Sequence, residues 1–489
     1  MIDVADMAAA REERAALQSR LIGEYKSPVI AVCLNLAGPR KRSTLSDCFF
    51  HKVIAEVQAV FGLYGIRINE RIDSVRDTGL YTVFSVTAAK LDAAAIKRCL
   101  IQLENEHDAY RVVDLDVIDS DGTQVSREAL DEPGRRCWLC DEPARNCARN
   151  RTHTIEAMWQ RAHAWIYDYL YADLQTRVRA SALTGLLYEV MTAPKPGLVD
   201  RLNSGAHRDM NLFTFVDSTL SFSSFIDDVL ALGCDLELSE AQLFEKLRCR
   251  GLRAERDMLT ATGGINTQKG LVFGLSLLIG AFGRLWQNHA RACLAAEQTR
   301  NEAEGPALKP TVAAWRDQTA RVSRYALSDF ERDYFAETEG QTLFRRHRVT
   351  GARGEAASGY PSVFDTGLPR LKQGLDIFSD REKAGVFALL HILLAVEDTN
   401  MIGDSGDDPD CYRGRCEDIA AILAELKQVY ETKGGEALSE RMIEQVKQLD
   451  RDYINADISP GGSADILALT WFVYRLFYEQ GHTDYHALN

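Results

Sequence analysis

The sequence predicts a mixed α/β domain followed by a larger all-α domain. Short β-like apolar runs alternate with helical patterns up to about residue 155. Beyond that point the strand signals nearly vanish, and long stretches with helical apolar periodicity follow one another. The 489 residues are 46% hydrophobic and 26% charged, an ordinary globular balance that leaves room for more than one core.

The elements follow in order. An amphipathic helix is expected over 5–24, then a buried strand over Pro28–Leu36 (PVIAVCLNL). A helix over 44–62 precedes the strand Tyr81–Val86, and a helix over 89–103 precedes the strand Arg111–Ile118. The helical half reads as 156–192, 212–232, 239–261, 267–288, 311–340, 382–398, 414–434, 437–449 and 463–480. The domains are set at 1–158 and 159–489, with a soft boundary inside 150–165.

The net charge is −14, which argues against a generic nucleic-acid binder. Residues 1–160 carry only −3 of it and the helical half −11, which reads first as a solvated acidic surface and also suits carboxylates holding a divalent metal. No run of 18 apolar residues occurs, so no membrane span is expected. The first 25 residues hold no apolar signal core, which places the protein in the cytoplasm. Eleven cysteines, an odd number, read as reduced thiols.

In the first domain, Asp114 and Asp116 stand two apart on an expected strand and so share a face. Such a pair can hold Mg²⁺ against a polyphosphate. Pro133–His153 (PGRRCWLCDEPARNCARNRTH) carries five arginines against two acids, and arginine forks suit phosphate. Cys137, Cys140, Cys147 and His153 have the chemistry of zinc ligands, but their spacing is not that of a standard finger. The stretch therefore reads first as a phosphate-binding arginine loop with incidental thiols, and zinc is the second reading.

These features, with Leu34–Lys41 (LNLAGPRK), resemble the CitX family, the apo-citrate lyase phosphoribosyl-dephospho-CoA transferases, over roughly 5–155. The family's usual Gly-Arg-Leu-aromatic-Asp-x-Asp-Val is here Tyr110-Arg111-Val112-Val113-Asp114-Leu115-Asp116-Val117, so the glycine and the aromatic are replaced.

The second domain carries polar blocks between its helices. Pro194–Met210 (PKPGLVDRLNSGAHRDM) follows a helix bearing Glu189 and is too dense in mixed charge for a simple turn. Thr262–Gly270 (TGGINTQKG) opens a helix, where backbone N–H groups and the helix dipole favour an anion; it is not a Walker A loop. Gly351–Pro361 (GARGEAASGYP), Glu397-Asp398-Thr399-Asn400 and Ser459–Asp465 (SPGGSAD) follow. Glu397 and Asp398 are expected at a helix C-terminus, opposing its dipole. In kind and order these blocks resemble the CitG family, triphosphoribosyl-dephospho-CoA synthases, over about 165–480. The Arg-Gly-Gly that usually follows Asp-Thr-Asn is replaced by Met401–Asp408 (MIGDSGDD).

The two resemblances imply a fusion of two transferases, with a nucleotidyltransferase-like first domain. They imply that ATP and 3′-dephospho-CoA give 2′-(5″-triphosphoribosyl)-3′-dephospho-CoA and adenine. Phosphoribosyl-dephospho-CoA is then moved to a serine of the acyl carrier (γ) subunit of citrate lyase, with loss of pyrophosphate. Two alternatives are the equivalent pair for a malonate decarboxylase carrier and a non-catalytic carrier-binding scaffold.

Under this chemistry Lys195, Asn266 and Lys269 are expected at phosphates, and Asp200, Glu397 and Asp398 at metal or sugar. The general base is one of Glu189, His207 and Asp209. Arg201, Asn203, Ser204, Arg353 and Asn400 complete the substrate contacts. In the first domain Asp114 and Asp116 would hold Mg²⁺, with Arg111, Arg136 and Arg149 at phosphates.

Overall fold

The computed structural model describes residues 4–38, 40–140, 142–298, 308–330, 339–404 and 409–479. Pro39 and Asp141, and the expected features at 331–338, 405–408 and 480, lie outside them. The chain divides into two compact units. Among the described residues, the first takes those up to 174 together with 289–298 and 308–309; the second takes 175–288 and those from 310 to 479.

The first unit runs α1 (Val4–Tyr25), β1 (Val29–Leu34), α2 (Thr44–Tyr64), β2 (Ile66–Arg76), β3 (Gly79–Ala88), α3 (Ala93–Glu104), β4 (Val113–Ile118) and α4 (Ala144–Asn150). α2 starts on a reciprocal cap, in which Ser43 and Ser46 satisfy each other's backbone N–H. It stops at Gly65, whose φ of 66° favours glycine.

The four strands form one sheet in the order β2-β3-β1-β4, with every pairing antiparallel. β1 and β3 lie at the centre and are nearly continuous apolar runs. Val29, Ala31 and Cys33 share a face with Tyr81 and Val83, and this face packs on Leu17 and Leu21 of α1. On β4, Val113, Leu115 and Val117 are buried, while Asp114 and Asp116 lie on the other face, opposite Cys33 and Ala31.

The expected strands are all present. β2 was not expected: its sequence IRINERIDSVR is largely polar because it is an exposed edge strand.

α5 (Ile155–Met191) is one continuous helix, so the domain boundary placed at 158 falls inside it. There follow α6 (Leu212–Ser221), α7 (Ser223–Cys234), α8 (Glu240–Ala261), α9 (Lys269–Gln298), α10 (Val312–Ser323), α11 (Glu339–His347), α12 (Gly351–Ala357), α13 (Leu368–Phe378), α14 (Arg381–Ala395), α15 (Thr399–Asp404), α16 (Pro409–Asn455) and α17 (Gly461–Tyr474). Gly434 (φ 84°) breaks α16 into the two helices the sequence suggests.

α14 and α17 are apolar nearly all round, because each is enclosed by other helices. α9 is long and apolar enough to cross a membrane, the one such helix among the described residues, but 83% of that apolar window is buried within the protein.

Candidate functional site

The polar blocks of the helical unit converge. Glu189, in the last turn of α5, forms a buried ion pair with Lys195 Nζ. Burial pushes the Glu189 carboxyl up, and Lys195 opposes the push. The loop that returns from Lys195 is held by its own carboxylate. Asp200 accepts from the backbone N–H of Lys195 (3.0 Å), Leu202 (2.6 Å) and Asn203 (3.0 Å).

Asp450 of α16 ties the same loop down. It accepts from the Gly197 N–H at 2.9 Å and from Asn203 Nδ2 at 3.0 Å. At Gly197 (φ 65°) a Cβ would stand 2.0 Å from the Ile458 carbonyl oxygen, so the loop requires glycine there. His207 Nε2 lies 2.8 Å from Ser459 Oγ.

Asp398 is buried and opens α15. Oδ1 accepts the N–H groups of Asn400 and Met401, and Oδ2 accepts the N–H and Oγ of Ser463. This corrects the expected placement. α14 ends at Ala395, so Asp398 caps the start of the next helix, where a negative charge is favoured. Glu397, beside it, is exposed.

Asp465, in the first turns of α17, is where the blocks meet. It takes no hydrogen bond from the described residues. Burial raises its carboxyl well above the ordinary value, and the neighbouring charges of Glu189 and Asp398 raise it further. A Cβ on Gly270 would stand 2.3 Å from Asp465 Oδ2, so TGGINTQKG brings its glycine against this carboxylate. The charges of Glu355 and Asp465 act on Tyr360, whose buried hydroxyl has no hydrogen-bond partner among the described residues.

Other expected residues stand apart. Arg201 pairs with Glu382 at 2.7 Å on the surface, and Lys269 lies 3.5 Å from Glu255. Asn266 and Asp209 are exposed, and Ser204 is half-buried. Arg353 lies over the Phe330 ring, 5.4 Å from its centre. The Asn400 side chain lies against Gly461.

In the first unit Asp114 Oδ1 accepts from Arg135 Nη1 at 2.7 Å, and Asp116 Oδ1 accepts from Gln124 Nε2 at 3.1 Å. Burial raises the Asp114 carboxyl, Arg135 lowers it, and Asp116 raises it again. Arg135 also reaches Glu104, a buried carboxylate that further pairs with Arg127 and Lys97.

Arg111 lies 5.1 Å from the centre of the Trp165 ring and donates to the carbonyls of Arg136 (3.2 Å) and Cys137 (2.8 Å). Arg136 and Arg149 are exposed. Arg135, which was not among the arginines expected at phosphates, thus stands beside Asp114.

Two family models match. One, ATP:dephospho-CoA triphosphoribosyl transferase (CitG), covers residues 175–484; the other, apo-citrate lyase phosphoribosyl-dephospho-CoA transferase (CitX), covers 2–169. The chain is 30% identical to "Protein CitXG" of Leuconostoc mesenteroides subsp. cremoris over 476 residues, 95% of each chain. The chain belongs to the CitXG family.

A second CitXG protein, from Haemophilus influenzae, is 29% identical and aligns over 95% of this chain and 94% of its own. The 2-(5″-triphosphoribosyl)-3′-dephosphocoenzyme-A synthase of Haemophilus ducreyi is 30% identical over 70% of this chain and 100% of its own. As a CitXG member the chain carries two transferases, which together make and attach the prosthetic group of citrate lyase.

The residues that sequence reasoning missed lack local signals. Asp450 and Glu104 sit in charged helices where an acid ordinarily faces water. Asp465 and Ser463 lie inside a recognised glycine-rich block, where the signal was the block rather than the residue.

Proposed function

We propose that Asp465 is the centre of the synthase site, with Glu189, Asp398 and Lys195 around it. The observation that supports this is the crowding of three carboxylates beside a single buried lysine, with Asp465 left without a hydrogen-bond donor. Such a set is poised to receive positive charge. Displacing adenine from C1′ of ATP develops oxocarbenium-like charge, which these carboxylates would stabilise.

His207, oriented by Ser459, takes the proton of the attacking ribose 2′-hydroxyl of 3′-dephospho-CoA. Lys269 and Asn266, exposed at the start of α9, hold the triphosphate with the help of the helix N-terminus. Arg353 contributes a further cation to the phosphates, while Arg201 and Asp200 shape the loop.

In the first unit Asp114 and Asp116, with Arg135 between them and Glu104, form the transferase site of a nucleotidyltransferase-like domain. Each aspartate keeps a second oxygen that takes no hydrogen bond from the described residues. Hard carboxylate oxygens of this kind fit Mg²⁺, and Asp465 offers the same in the second unit. The ion would supply charge neutralisation for the triphosphate and the departing pyrophosphate. Arg136 and Arg149, exposed on the adjoining loop, meet the phosphates of the incoming group. The acceptor is a serine of the citrate lyase acyl carrier (γ) subunit, in the cytoplasm.

The test uses purified protein with ATP, Mg²⁺ and 3′-dephospho-CoA, read by mass spectrometry. Free adenine and the triphosphoribosyl adduct are expected, and added apo acyl carrier subunit should gain the phosphoribosyl-dephospho-CoA mass. Nucleotide binding with neither product would overturn the reading. Modification of a malonate decarboxylase carrier in place of the citrate lyase subunit would overturn the assigned partner.

A further inference from the structure

The thiol cluster of the first unit is not used by either transfer. The ligating atoms of Cys137, Cys140, Cys147 and His153 all lie within 4.8 Å of one another. Cys140 Sγ is 3.4 Å from Cys147 Sγ and 3.3 Å from His153 Nε2. With Zn–S near 2.3 Å and Zn–N near 2.0–2.1 Å, tetrahedral geometry sets ligand atoms about 3.5–3.8 Å apart. The cluster thus has nearly the span of a tetrahedral site. A disulfide, with its S–S distance of about 2.05 Å, would join only two of the sulfurs and leave a thiol and an imidazole crowded against it.

The local chain is built to hold this arrangement. Arg136 pairs with Pro143 as a β-bridge. The Cys137 N–H donates to the Glu142 carbonyl at 2.8 Å, and the Ala144 N–H to the Arg135 carbonyl at 2.9 Å. A tight turn results, with Cys137 and Cys140 on it. The backbone N–H groups of Leu139 and Cys140 face the Cys137 sulfur.

α4 then carries Cys147. Arg151 ends α4 in the left-handed conformation (φ 50°), and the Thr152 N–H bonds back to the Cys147 carbonyl at 3.1 Å, which turns His153 toward the sulfurs. Cys137 and Cys147 are buried, and Cys140 and His153 are half-buried.

We propose that Cys137, Cys140, Cys147 and His153 bind one zinc ion, which clamps the loop that presents Arg135 to Asp114. Three thiolates and one imidazole select zinc over the hard magnesium ion of the transfer chemistry. Four protein ligands close the coordination sphere, so the ion is structural and takes no substrate. Binding converts three thiols to thiolates and releases their protons to solvent. The clamp acts on the site through short links. Arg135 stands two residues before Cys137, and Arg111 holds the Cys137 carbonyl from the other side.

The full chain, produced in medium containing zinc and purified without chelator, should hold one zinc per chain by mass spectrometric elemental analysis. A mercurial thiol reagent should release that zinc. Substitution with Co²⁺ should give the intense visible bands of tetrahedral thiolate ligation. The Cys140→Ser variant should lose the zinc and the cobalt bands. Carrier modification should then fall, while adenine release persists.

If Cys140→Ser does not fold, thiol counting on the parent protein decides: three more cysteines should react after chelation than before. Substoichiometric zinc with no cobalt bands would overturn the proposal. So would a Cys140–Cys147 disulfide in peptide mapping of protein alkylated directly in the cell lysate without prior reduction.

Discussion

Ser463 gives Asp398 two hydrogen bonds at one oxygen, from its backbone N–H at 2.7 Å and from its Oγ at 2.9 Å. The other oxygen accepts the N–H groups of Asn400 and Met401. Both oxygens of Asp398 therefore act only as acceptors. An asparagine would turn an N–H₂ group toward backbone donors whichever way it flipped. Asp398→Asn should destabilise the helical unit by about 1–3 kcal/mol. Urea unfolding checks this, and a loss within error of zero would contradict the bonding described.

Asp465→Asn should behave in the opposite way. The side chain gives up no hydrogen bond, and the change removes a charge that Glu189 and Asp398 oppose. Thermal stability should hold or rise. Adenine release should fall on the order of 10²–10³-fold, the scale of losing one preorganised electrostatic group. Carrier modification from supplied triphosphoribosyl adduct should be unchanged.

Asp116→Ala divides the activities the other way. Carrier modification should be lost while adenine release continues at the parent rate. Loss of both would refute the assignment of separate sites to the two units.

Glu104 is 3% exposed at its side chain and faces Lys97, Arg127 and Arg135. Glu104→Ala removes the buried carboxylate that Lys97, Arg127 and Arg135 share, and leaves Arg135 only its Asp114 pairing, at a cost of about 3–5 kcal/mol. Denaturant unfolding of the parent and variant measures it. A cost under about 1 kcal/mol, the range of an exposed pair, would contradict the geometry.

A pH dependence follows from Glu355. Burial raises its carboxyl above the ordinary value, and the hydrogen bond from the Ser362 N–H at 2.7 Å only partly opposes this. The folded state thus holds the proton more tightly than the unfolded chain does. The stability this contributes is complete below about pH 4.3, the ordinary glutamate value, and is lost as pH rises through the folded-state value. Glu355→Gln keeps an acceptor for Ser362 and removes the charge. Its melting temperature should exceed the parent's at neutral pH, and the gap should close in acid.

How far the sequence could be read depended on how local each signal was. β1 and β3 are apolar runs, and β4 alternates, because each must bury at least one face. β2 escaped because an edge strand in water can be as polar as a loop. α13 escaped because Gly367-Leu368-Pro369 reads as a breaker, although proline is at home in a first helical turn. The block around Lys195 announced itself by its density of charge. Asp450, which holds that block from about 250 residues away, did not, because nothing in QLDRDY separates a buried carboxylate from a solvated one. Arg135 was one of five arginines, and only the folded path of its loop brings its guanidinium to Asp114.

The enclosure of Lys195 with Glu189 also limits the routes by which this chain can diverge. Either residue replaced alone leaves its partner as a bare ion in the interior, a penalty of about 3–5 kcal/mol, comparable to the whole margin by which many proteins stay folded. Single-step paths through either position lead into poorly folded intermediates. Exchange at either position is therefore expected only when both change together or when stability gained elsewhere has first been laid by.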